Sequence, residues 1–258
     1  MIDRARRRWL GAGVAAVAGF GAPLRAAPLT ELYAGVRRSV VAVGTFNRLR
    51  SPQFRFLGSG FVVGDGSRIA TCAHVVANFD PSTGEILAMG FTQNPAELPL
   101  IVEGRLFGRD ADADLATLDI AGPKMPALKL GPVTDAAAGT EVAIVGFPLG
   151  TATGLVAAIH RGVIAAITPS HLPAQTSAGL SPKAVQASRS RIIDLLQLDL
   201  TAYPGNSGSP LIDTASGAVV GVLNMGLVKG NRETAFSQPT GISYAVPVKY
   251  LHPLAPGG

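Results

Sequence analysis

From position 40 onward the apolar residues fall into short runs, separated by Gly, Pro, Asp or Ser. The runs are VVAVGTF (40–46), SGFVVG (59–64), RIATCA (68–73), EILAMGFT (85–92), LPLIVEGRLF (98–107) and LATLDI (115–120), then TEVAIVGF (140–147), GLVAAIHRGVIAAI (154–167), IIDLLQLDL (192–200), PLIDT (210–214), AVVGVLNMG (218–226) and ISYAVPV (242–248). About twelve strands follow, with turn residues between them, and no run has the length and period of a long amphipathic helix. Regularly spaced short strands predict an all-β sandwich or barrel. The segment KLGPVTDAAAGTE (129–141) divides the set into about six and six, so two packed β-barrels are expected, over residues 28–135 and 136–252. Ahead of them, Leu32, Val36 and Val40 keep a helical period, with Thr30 as candidate N-cap, and predict one short helix. Residues 168–190 are polar and rich in Pro and Ser, and predict a long surface loop.

Composition supports a packed core: 47% of residues are hydrophobic and 15% charged. The 31 glycines and 19 prolines suit many tight turns. Cys72 is the sole cysteine, so no internal disulfide forms and the fold rests on its core.

The formal charge of +5 needs the first 26 residues to be read separately. Arg4, Arg6, Arg7 and Arg8 precede an apolar stretch from Trp9 to Phe20, and small residues follow around Ala26. This is the layout of an export signal, of the twin-arginine or the Sec kind, with an uncleaved amphipathic anchor as the competing reading. The stretch is short for a membrane span, which needs about 20 apolar residues. Cleavage after Ala26 removes five arginines and Asp3, leaving +1. The basicity belongs mostly to the leader, so a nucleic-acid partner loses its support. The expected location is periplasmic or secreted.

Three motifs carry candidate chemistry. His74 ends the run IATCAHVV, Asp114 stands immediately before the strand LATLDI, and Ser207 lies in AYPGNSGSPL, flanked by small residues. Alone, each has an ordinary explanation: a packed histidine, a turn acid, a hairpin connection. Together they occur in the order His, Asp, Ser, one of the orders known for nucleophilic triads.

With SGFVV, EVAIVGFPLG and GISYAVPV in the same succession, the chain resembles the trypsin-like serine peptidases, and within them the HtrA/Deg-type branch, over about residues 29–251. The resemblance implies two six-stranded barrels and catalysis by His74, Asp114 and Ser207. It places the oxyanion hole at Gly205, Asn206 and Ser207, with the N–H groups of Gly205 and Ser207 as donors. It puts Thr201, six residues before the nucleophile, at the floor of the P1 pocket, with walls from Asn224, Met225 and Gly226. An uncharged floor implies a small or medium apolar P1 residue. Ser209 departs from the Gly of many relatives.

Polypeptides, as unfolded or exposed segments, are the expected partners, and assembly through the peptidase unit is left open. No PDZ module is expected after the final strand. No cofactor or metal is expected: His160, His171 and His252 lack partners at ligand spacing, and Cys72, two residues before His74 on the same expected strand face, reads as a small buried side chain. Two competing functions are a catalytically silent peptide-binding module on the same fold, and an α/β-hydrolase esterase. The second requires alternating helices and G-x-S-x-G, whereas here Ser209 ends the motif.

Overall fold

The computed structural model describes residues 28–91, 100–134, 136–150, 155–170, 191–225 and 241–256. The expected leader, most of the expected long loop, and Gly226 lie outside these residues.

The described residues form twelve strands in two closed antiparallel barrels. The first holds β1 (Val40–Phe46), β2 (Phe54–Val63), β3 (Arg68–Cys72), β4 (Ile86–Phe91), β5 (Leu100–Asp110) and β6 (Leu115–Ile120). The second holds β7 (Glu141–Gly146), β8 (Ala158–Pro169), β9 (Asp194–Asp199), β10 (Pro210–Asp213), β11 (Val219–Leu223) and β12 (Ile242–Pro247). Their orders around the barrels are β1-β2-β3-β6-β5-β4 and β10-β11-β12-β9-β8-β7. Closure leaves no free sheet edge.

Several strands are apolar on both faces because both faces are buried. Along β7, Val142 and Ile144 point into the second barrel's own core, while Ala143 and Val145 join a larger cluster shared with the first barrel. On β9, Leu196 and Leu198 face inward and Leu195 faces the shared cluster. A half-buried strand alternates apolar and polar positions; these run continuously because the second face meets the other barrel.

Three local expectations need correction. The first helix, α1 (Leu29–Val36), is capped by Pro28 rather than Thr30, which sits inside it. β2 begins at Phe54, five residues before the expected start, and carries a bulge opposite Val43 and Gly44. β3 ends at Cys72, and residues Ala73–Val76 turn into a short helix, α2. His74 is therefore helical and does not continue the strand face of Cys72.

Candidate active site

β3 pairs with β6 so that Cys72 lies opposite Leu115. One residue beyond that pair, Ala73 N–H donates to Asp114 O (2.9 Å), which sets Asp114 beside α2. The acid-rich turn before β6 is shaped by Asp110, whose Oδ1 accepts from Asp112 N (3.1 Å) and Ala113 N (3.0 Å). Asp114 then takes φ +51°, a left-handed conformation that Asp tolerates better than most residues. Its Oδ1 accepts from His74 N (2.8 Å) and its Oδ2 meets His74 Nδ1 at 2.5 Å. The same Oδ2 accepts from Asn224 Nδ2 (2.9 Å). Burial alone would raise this carboxyl, but the His74 and Asn224 hydrogen bonds and the attraction of His74 outweigh it and hold it below its usual range.

The serine loop, from Tyr203 to Ser209, connects β9 to β10 and is bound to both barrels. Gly208 N–H donates to Leu223 O (2.9 Å), and the Cys72 thiol donates to the same carbonyl (3.2 Å). Ser59 on β2 clamps the other side: its N–H donates to Ser207 O (2.8 Å) and its Oγ to Gly205 O (2.7 Å), while Phe147 N–H donates to that Oγ (3.0 Å). The glycines allow this closeness. Gly205 and Gly208 have φ of +101° and +87°, and an added Cβ would lie 2.4 Å from Phe147 O and 2.1 Å from Ser59 O.

Pro204 O accepts from Leu149 N (2.8 Å). In a trans peptide the C=O and the following N–H point opposite ways, so the Gly205 N–H is turned away from Leu149. Among the described residues, the N–H groups of Gly205 and Ser207 and the Ser207 hydroxyl make no hydrogen bond.

Two expected assignments change. Asn206 N–H donates to Tyr203 O (3.0 Å), so it is not a donor for an oxyanion, and its side chain is buried beneath the loop near Ser209 Oγ and Gly146. Asn224, expected as a pocket wall, is fully buried and turns its amide onto Asp114. Thr201 is half-buried just after β9, and Met225 packs partly buried against the second barrel's core. Gly226 lies outside the described residues. Sequence reasoning missed the clamp role of Ser59, although the small residues around it on β2 are the trace such a close approach leaves.

Cys72 is fully buried, and burial pushes its thiol well up. Its Sγ, a His74 ring nitrogen and an Asp114 oxygen all lie within 4.8 Å of one another. His160 on β8 packs against the Tyr203 ring, with centroids 5.9 Å apart, and burial pushes its imidazole down.

Residues 58–222 match the family of the trypsin-like peptidase domain. The chain is 32% identical over 199 residues to a probable periplasmic serine endoprotease, DegP-like, of Pseudomonas fluorescens, covering 77% of this chain and 34% of that protein. A protein of the same description from Halomonas elongata is 30% identical over 198 residues, with 77% and 34% covered. The mitochondrial serine protease HTRA2 of Drosophila willistoni is 30% identical over 194 residues, with 75% and 36% covered. The chain thus spans about a third of the length of these relatives. By the domain match, by these identities and by its two closed barrels, the chain belongs to the trypsin-like peptidase family and is of the HtrA type.

Proposed function

We propose that this chain is a serine endopeptidase in which Ser207 attacks the peptide carbonyl, His74 takes the serine proton and returns it to the leaving amine, and Asp114 holds the imidazole. The observation that carries the reading is the junction at Leu223. Its carbonyl ties the loop of Ser207 to the strand leading into His74, while the next residue, Asn224, holds Asp114. A serine hydroxyl is a weak nucleophile at neutral pH and needs a base within reach. Asp114, accepting from Nδ1–H, keeps the other nitrogen free to be that base and stabilises the imidazolium. Among the described residues Ser207 and His74 share no hydrogen bond; catalytic hydrogen bonds are commonly long or poorly aligned before substrate arrives, and this one forms in the complex. The unpartnered N–H groups of Gly205 and Ser207 then receive the oxyanion, each such donor contributing about 3 kcal/mol to the barrier reduction.

The substrates are exposed or unfolded polypeptides outside the cytoplasm, in a protein quality-control role. The basic and apolar first segment supports export, as do the relatives described as periplasmic, although others are mitochondrial. Among the described residues no helix is long and apolar enough to cross a membrane. Thr201 supports a small or medium apolar P1 residue, since nothing there pairs with a basic side chain.

A fluorophosphonate probe tests the chemistry. Wild type should be labelled and Ser207→Ala, folded equally by its melting curve, should not. Failure to label folded wild type would leave the silent peptide-binding reading standing. A peptide panel should show faster cleavage after Val, Ala or Leu than after Arg; the reverse order removes the assignment of Thr201.

A further inference from the structure

We propose that Cys72, His74 and Asp114 form an inhibitory site for a thiophilic divalent cation of the Zn2+ class, bound on the side of the imidazole away from Ser207. Along the chain, Cys72 and His74 have no third ligand at metal spacing. The pairing of β3 with β6 supplies it, bringing sulfur, nitrogen and oxygen donors within 4.8 Å of one another. Cys, His and Asp together are a donor set suited to Zn2+, whose bonds to them are about 2.0–2.3 Å long. A small contraction, with the His74–Asp114 hydrogen bond opening, accommodates the ion.

The site also has the outer support that metal ligands use. Asn224 Nδ2 orients Asp114 Oδ2 (2.9 Å), and His74 N–H fixes Oδ1 (2.8 Å). In the metal-free site the Cys72 thiol donates to Leu223 O (3.2 Å), a hydrogen bond given up when the thiol loses its proton to the metal bond.

Proton balance makes the ion an inhibitor. The thiol gives its proton to solvent as the sulfur–metal bond forms. The ion takes the place of the Nδ1 proton, and the neutral imidazole carries its one proton on Nε2 instead. A protonated Nε2 cannot accept the Ser207 proton, so the serine stays unactivated. The inhibitory part rests on the triad reading given above; the binding part does not.

Binding is read on Ser207→Ala, titrated with Cd2+ while the ultraviolet charge-transfer absorption of a metal thiolate is followed. Cys72 is the sole cysteine, so such a band has one source. A band saturating at one ion per chain and displaced by Zn2+ is expected, and Cys72→Ala in the same background should lack it. Absence of the band in folded Ser207→Ala overturns the site whether or not the chain proves to be a peptidase. Inhibition is read on metal-stripped wild type and Cys72→Ala, each against its own metal-free rate, with melting curves checking the fold. Cys72→Ala should need about tenfold more Zn2+ or higher for half inhibition, the scale on which even supporting groups alter affinity. Equal sensitivity of the two overturns the inhibitory role. Should wild type prove inactive, the Cd2+ band still decides the site.

Discussion

In the proposed mechanism much of the chemistry depends on one carboxylate, that of Asp114. It accepts from His74 N, His74 Nδ1 and Asn224 Nδ2, at 2.8, 2.5 and 2.9 Å. Removing one hydrogen bond to a charged group typically costs about 1.5–3 kcal/mol. Asn224→Leu should therefore lower kcat by about tenfold to a hundredfold with KM little changed, which steady-state kinetics on a good peptide will check. The lowered carboxyl also predicts a pH effect on stability. A depressed carboxyl contributes stability above its unfolded value of 3.8 and loses it as pH falls through the folded value. The melting-temperature advantage of wild type over Asp114→Asn should be full above about pH 5 and should shrink steadily below about pH 4. An advantage that grows with acidification would contradict the hydrogen-bond account. His74, Asp114 and Ser207, the residues of the proposed mechanism, stood out in the sequence through the order of their motifs and the resemblance these carry. Asn224 was legible only as a neighbour, since no local pattern says which way an amide turns.

At the scale of elements, the twelve strands were legible from apolar runs and turn residues. Their boundaries were less so at β2, where Arg55 and a bulge interrupt the apolar run, and at α2, where one helical turn leaves no period to detect. The serine loop is the element whose backbone is most constrained. Gly208→Ala places a methyl 2.1 Å from Ser59 O on a backbone with φ +87°. Gly217 has a comparable φ of +70° but open space around it. Left-handed strain alone costs about 1 kcal/mol, and strain with a backbone clash costs about 2–3 kcal/mol or more. Calorimetry should show Gly208→Ala melting about 4–12 °C lower and Gly217→Ala only about 2–4 °C lower. Equal losses would mean that the approach of Ser59 to the loop matters less than its hydrogen bonds suggest.

For the molecule as a whole, the two barrels share one hydrophobic cluster, running from Val41 and Phe61 through Phe147 to Leu195 and Val246. A shared core couples unfolding, so a single calorimetric transition is expected rather than two. Phe147 is 2% exposed and meets Phe56 edge-on with centroids 6.3 Å apart. Phe147→Ala should cost about 3–5 kcal/mol. The exposed pair of Arg191 and Asp110, 2.6 Å apart between the barrels, should behave differently. Arg191→Ala should change stability by less than about 1 kcal/mol, because water screens the pair. Denaturant titration of both variants will separate apolar packing from surface charge as the source of cohesion.

The amino-acid sequence by itself determined the strand content and the division into two barrels, and it singled out His74, Asp114 and Ser207 for the roles proposed above of base, orienting acid and nucleophile. The strands follow from apolar periodicity, which is local, and the proposed roles follow from the order of three motifs and the resemblance they carry. Only the tertiary structure decided that Ser59 and Leu223 join the barrels at the serine loop, that Asn224 serves Asp114, that Asn206 N–H is bonded to Tyr203, and that Cys72 lies within reach of His74 and Asp114. Each depends on the strand pairing that sets its neighbours, and that pairing is decided by burial across the whole core rather than by any residue's own neighbours in the chain.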